Sequence, residues 1–175
     1  MQAGGSDRQR HERDRASEKH RRIAEAFFLS AYKAQMRGRL GQALRLYRQS
    51  VAAYPTAEAH TFVGWTLSLL SRYEEAIEAC KRAIEVDPNL GNPYNDIGAY
   101  LLELDRPAEA IQWLRKALAA PRYDSCHFAY YNMGRACEAL FDPIEAESCY
   151  RKALELNPSY LLAREAARIL EARRN

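Results

Sequence analysis

The side chains of this 175-residue chain that could do covalent or metal chemistry are few and scattered. Cys80, Cys126, Cys137 and Cys149 could form disulfides, bind a metal or act as nucleophiles, and His60 and His127 could ligate or move protons. Their spacing favours none of these roles. The chain has no Cys-x-x-Cys pair, no His-Glu-x-x-His, no Gly-x-Ser-x-Gly elbow and no glycine-rich phosphate loop followed by lysine. The expectation is therefore no catalytic residue, no cofactor and no metal site, which sets enzymatic function aside. Chemistry would instead be non-covalent, through aromatic rings and short amides on a surface.

Those groups need elements to hold them, and the elements repeat. Ala31, Gly64, Gly98 and Gly134 follow one another at steps of 33, 34 and 36 residues, and Ala43, Ala76, Ala110 and Ala146 recur at the same steps. A small residue in each half of such a unit marks two helices that approach closely at fixed points. Between Arg72 and Val86 the apolar or small residues Tyr73, Ala76, Ile77, Cys80, Ala83 and Ile84 fall at helical spacing, with charged residues between them. Asp105-Arg-Pro107 and Asp142-Pro143 read as helix starts, while Asp87-Pro88 and Asn157-Pro158 read as helix ends. The pattern predicts helix pairs at 18–36/39–54, 57–70/73–86, 91–104/107–119 and 125–140/143–156, a last helix at 159–172, and no strand.

In register, the second unit carries His60, Val63-Gly64, Leu67, Ala76, Cys80, Ala83 and Pro88, and the third Tyr94, Ile97-Gly98, Leu101, Ala110, Leu114 and Ala117. The fourth carries Tyr130, Met133-Gly134, Cys137, Ala146, Tyr150, Ala153 and Pro158; the first keeps the frame with Phe27, Ser30-Ala31, Ala34, Ala43, Tyr47, Ser50 and Pro55. This arrangement resembles the tetratricopeptide repeat. The resemblance implies an all-α, right-handed α-solenoid of antiparallel helix pairs, with repeats at about 24–56, 57–90, 91–126 and 127–160 and a capping helix at about 159–172, together one domain over 23–172. Cys80 and Cys137 then fall at core positions, where a cysteine is a small hydrophobe. His60 and His127 open inner helices, where they pack or face solvent.

The resemblance also implies where binding occurs: the first helix of each pair lines a concave groove that holds an extended peptide or a helix of a protein partner. The candidate groove residues are Phe28, Tyr32, Phe62, Trp65, Asn95, Asp96, Tyr131, Asn132 and Arg135. The rings supply contact area at low entropic cost, and the amides and charges set register. Phe28, Phe62 and Phe128 are equally readable as packing between inner helices. At the positions where chaperone-binding members of the family clamp a carboxylate, this chain offers no cation and places Asp96, so the acidic C-terminal tail of heat-shock chaperones is not an expected ligand. The third unit runs two residues long through 120–126, which predicts an altered joint with Arg122 and Tyr123 exposed.

Residues 1–22 form a charged N-terminal extension, either partly disordered or a continuation of the first helix. They hold seven Lys or Arg against four Asp or Glu, a balance equal to the net charge of +3 for the whole chain. The extension carries no aromatic ring to stack on a base and interleaves acids with its arginines, so nucleic-acid binding is the weaker reading. No apolar run approaches a membrane span, and the expected location is cytoplasmic. Taken together, the expectation is a non-enzymatic protein-interaction adaptor or scaffold. The alternative is a self-assembling homo-oligomer that uses the extension.

Overall fold

The computed structural model describes residues 4–174, with side chains from 15 to 173. Among these residues there are nine helices and no strand: α1 (Gly4–Met36), α2 (Leu40–Ala53), α3 (Ala57–Ser68), α4 (Tyr73–Val86), α5 (Asn92–Glu103), α6 (Pro107–Ala119), α7 (Cys126–Ala139), α8 (Pro143–Leu156) and α9 (Leu161–Arg174). Each odd-numbered helix up to α7 pairs with the one after it, and each pair packs on the next. Helix α3 also touches α5, and α5 touches α7, which makes the odd-numbered helices a continuous layer. The result is the expected all-α solenoid.

Within each pair the interface is set by recurring small residues. Ala43, Ala76, Ala110 and Ala146 are fully buried. Opposite the small residues of the inner helices stand Tyr47, Cys80, Leu114 and Tyr150, at the same repeat steps and also fully buried. The approach is close. A Cβ on Gly64 would lie 2.8 Å from Cys80 Sγ, one on Gly98 2.6 Å from Leu114, and one on Gly134 2.4 Å from the Tyr150 ring. Burying side chains of this size contributes roughly 1.5–3 kcal/mol each, spread along the stack rather than gathered in one core.

Helix α1 begins well before residue 18. Between Gly5 and Gly38 the sequence has neither glycine nor proline to stop it, and pairs such as Arg22 with Glu18 (3.2 Å) add support one turn apart. Arg8, Arg10 and Arg13 of the extension lie outside the described side chains.

The turns within pairs share a rule that the sequence reading missed. Gly38, Ser71, Asp105 and Phe141 occupy one repeat position, and all have positive φ, from 55° to 71°. Asp105 is therefore the left-handed turn residue and not a helix cap; Arg106 takes the N-cap position of α6 without a side-chain cap bond. Asp142 does cap α8, its carboxylate accepting from the Glu145 amide at 3.1 Å. Asp142→Ala is expected to cost about 1 kcal/mol in urea denaturation.

The joint after α6 corrects another expectation. Arg122 is exposed, but Tyr123 is buried. The extra residues fold back on the preceding inter-repeat turn: the Gly91 amide donates to the Arg122 carbonyl and the Arg122 amide to the Asn89 carbonyl, both at 3.0 Å. This short pairing satisfies backbone groups that the longer loop would otherwise leave unpartnered. It also lays the Tyr123 ring on Gly91, where a Cβ would lie 2.3 Å from it. The Arg122 guanidinium then ties Asp87 and Glu58, the latter at 3.0 Å.

At the C-terminal end, Ala166, Ala167 and Leu170 of α9 pack on Cys137, Ala146 and Tyr150, while Leu161 and Leu162 remain exposed. No described helix is long and apolar enough to cross a membrane. All four cysteines are free thiols.

Candidate binding face

The odd-numbered helices bring the candidate residues together in three zones. The first joins α1 and α3. Phe28 meets Phe62 edge-on with ring centroids 4.9 Å apart, Tyr32 meets Phe62 at 6.0 Å, and Trp65 meets Phe62 at 5.5 Å. Tyr47, from the second layer, supports Phe28 and Phe62 from below at 5.3 and 5.5 Å. Edge-to-face pairs of this kind contribute about 0.5–1.5 kcal/mol beyond their buried area. Phe28 and Phe62 are half-buried and act as the floor. Tyr32 and Trp65, 42% and 37% exposed, are partly open to solvent.

The middle zone, on α5 and α7, is polar. Asn132 Nδ2 donates to Asn95 Oδ1 at 3.1 Å, and Asn95 Nδ2 donates to Asp96 Oδ1 at 3.3 Å. Both asparagines are buried. Their amides are thus engaged with each other and hold α5 to α7 rather than facing outward. Asp96 is crowded by protein on nearly every side while keeping part of its surface open. This desolvation pushes its carboxyl up to about 7, against the opposing pull of the Asn95 hydrogen bond. The buried Tyr100 and Tyr123 hydroxyls are raised first by burial and then by the Asp96 carboxyl.

The third zone is again aromatic. Tyr131 packs on Tyr160 at 5.3 Å and on Tyr150 at 5.9 Å. Phe128 and His127 also stand against Tyr160, at 5.3 and 5.2 Å. Phe128 is exposed, Tyr131 half-buried, and the His127 ring lies below its usual basicity because of burial. Arg135 is clasped by Glu103 of α5 at 2.7 Å.

Tyr160 is the residue of this face that sequence reasoning assigned elsewhere, to the capping helix. A signal was present in the sequence: in register Tyr160 falls where the second repeat has the apolar Leu90, a position that the structure buries there. Among the described residues no group of three His, Cys, Asp or Glu could hold a metal ion. The face offers flat apolar rings at both ends and the partly open Asp96 carboxyl between them.

Comparison with known proteins agrees with this architecture. Residues 57–90 and 127–160 match the model of the tetratricopeptide repeat, and residues 94–120 match a second model of the same repeat. A stretch of 94 residues, 53% of this chain, is 34% identical to human protein O-mannosyl-transferase TMTC3, of which it covers 10%. Among solved structures, PilF of Pseudomonas aeruginosa superposes with a TM-score of 0.81 at 22% identity, over 89% of this chain and 71% of that one. PilW, a type IV pilus biogenesis factor, gives 0.75 at 22% identity, over 81% and 65% of the two chains. YrrB, described as a tetratricopeptide repeat protein with an unusual peptide-binding site, gives 0.68 at 18% identity, over 83% and 74%. The repeat matches together cover more than half of the residues, and the helix pairs stack as those matches require: the chain belongs to the tetratricopeptide repeat family.

Proposed function

We propose that this protein is a non-enzymatic adaptor that holds an extended segment or a helix of a partner protein along the face formed by α1, α3, α5 and α7. The observation that carries this reading is the pair of aromatic zones, Tyr32 with Trp65 at one end and Phe128 with Tyr131 at the other, partly open to solvent on a rigid layer. Large rings held in place by neighbours are what interface anchors need, because little conformational freedom is lost on binding. The repeat is an interaction fold, and one structural neighbour, YrrB, is described by its peptide-binding site.

The preferred ligand has apolar or aromatic side chains near both ends and a basic or hydrogen-bonding residue opposite Asp96. An acidic C-terminal tail does not fit: the Asp96 carboxyl supplies no cation to pair with it, and Arg135 is already paired with Glu103. Free thiols throughout suit a reducing compartment such as the cytoplasm.

Trp65→Ala is the cleanest probe, since its ring is exposed. Combined with Tyr131→Ala, it is expected to weaken capture of the partner in an affinity pull-down by about tenfold or more while leaving helical circular dichroism unchanged. Equal capture by wild type and double variant would rule out the groove. The alternative reading, self-assembly through the charged extension, draws on the length of α1, 33 residues against 14 for α2. Deleting residues 1–22 would then lower the mass measured in solution.

A further inference from the structure

The edge of the stack that carries the turns within pairs holds a feature independent of the concave face. At the left-handed turn position where the other repeats place Gly38, Ser71 and Asp105, the fourth places Phe141, with φ 60°. A bulky aromatic residue is disfavoured there, and strain of this kind persists where it serves a purpose. The ring gains nothing within the chain for it, being 93% exposed. Ile144, one turn into α8, is 80% exposed, and Leu140 also lies open. Phe141 itself forms one wall of a cavity of 510 Å³ between this turn and α9, with Pro143, Ile144 and Leu170 among the other walls and Glu138, Glu147 and Arg173 also lining it.

A projecting apolar ring and an apolar hole of ring-accepting size within the same patch meet the requirement of a contact between identical surfaces. A two-fold axis through such a patch places each ring at the other copy's hole. Both signs of charge line the hole, Arg173 held by Glu138 at 3.4 Å and Glu147 by Arg151 at 3.1 Å, in exposed pairs that can exchange partners across the same axis. We propose that the α7–α8 turn is a self-association surface, with Phe141 of one copy seated between Ile144 and Leu170 of a second.

The test is sedimentation of the full chain across about a hundredfold range of concentration, since association of this type follows mass action. Wild type is expected to shift from monomer to dimer. Phe141→Gly removes the ring and suits the positive φ, so it should weaken dimerisation by about tenfold or more while the melting temperature of the monomer holds or rises. Ile144→Glu, at an exposed site that tolerates charge, should weaken it as well. A wild type that stays monomeric throughout, or a Phe141→Gly chain that dimerises like wild type, overturns the proposal. The variant leaves both the concave face and the N-terminal extension intact, so its outcome is separable from the adaptor reading.

Discussion

Gly134→Val is expected to destabilise the chain by about 3 kcal/mol and to do so at one end. The first added carbon alone would lie 2.4 Å from the Tyr150 ring, and that ring is fully buried, with its hydroxyl donating to Glu138. It has no space to retreat into. The strain falls on the α7–α8 interface and on α9, which packs on the same cluster. In a stack where each unit touches only its neighbours, opening spreads by proximity. Hydrogen exchange should show protection lost first in α7, α8 and α9, with α3 to α6 retaining theirs. A second variant checks the cause: Tyr150→Ala alone should cost about 3–5 kcal/mol, yet Gly134→Val together with Tyr150→Ala should cost less than the two single effects added. Uniform loss of protection along the chain would contradict this account.

The second large effect concerns pH. The Asp96 carboxyl titrates near 7 in the folded chain, against an ordinary value of 3.8, with burial as the main cause. Between about 4 and 7 the folded state therefore holds a proton that the unfolded state has released, and stability falls as pH rises through that window. Above 7 the ionised carboxylate is retained at a constant cost. A shift of this size corresponds to about 4 kcal/mol, which we reduce to about 2 kcal/mol because Asp96 keeps part of its surface in water. Asp96→Asn should be more stable than wild type by that amount at pH 8 and nearly equal to it at pH 4, measured by urea denaturation at both values. His60 and His127, both held below their ordinary basicity chiefly by burial, act in the opposite sense, with stability lost as pH falls. They are common to both chains and cancel in the difference. A gap between the two proteins that does not change with pH would remove the explanation.

Why the helices and their pairing could be read from sequence, and the binding face only in part, follows from the range of the forces involved. The alanines at 43, 76, 110 and 146 recur because two backbones must approach, and that requirement is local and periodic. The same applies to Asp142, whose cap bond reaches only to Glu145. Asp105 looked the same in sequence, but its place in the turn demanded positive φ, a tertiary constraint that Gly38 and Ser71 share and that residue type alone does not reveal. Asn95 and Asn132 were read as free donors. They lie 37 positions apart, and only the stacking of α5 on α7 shows that each is the other's partner. Tyr123 was misplaced for a related reason. A loop with two extra residues can bulge outward or fold back, and the Gly91 surface beneath it decided the outcome.

The Arg122 joint has a mechanical consequence. A stack of helix pairs is a spring whose coils are held mainly by side-chain contact, and most of its joints can flex. Here one guanidinium ties Glu58 of α3 to Asp87 at the end of α4, while its own backbone is stitched to Asn89 and Gly91. The ties link the second repeat, the third and the strap that leads into the fourth. Under tension applied between its ends, such a spring is expected to keep its pitch where these ties, and the Asn95–Asn132 and Arg135–Glu103 pairs beyond them, bridge successive coils.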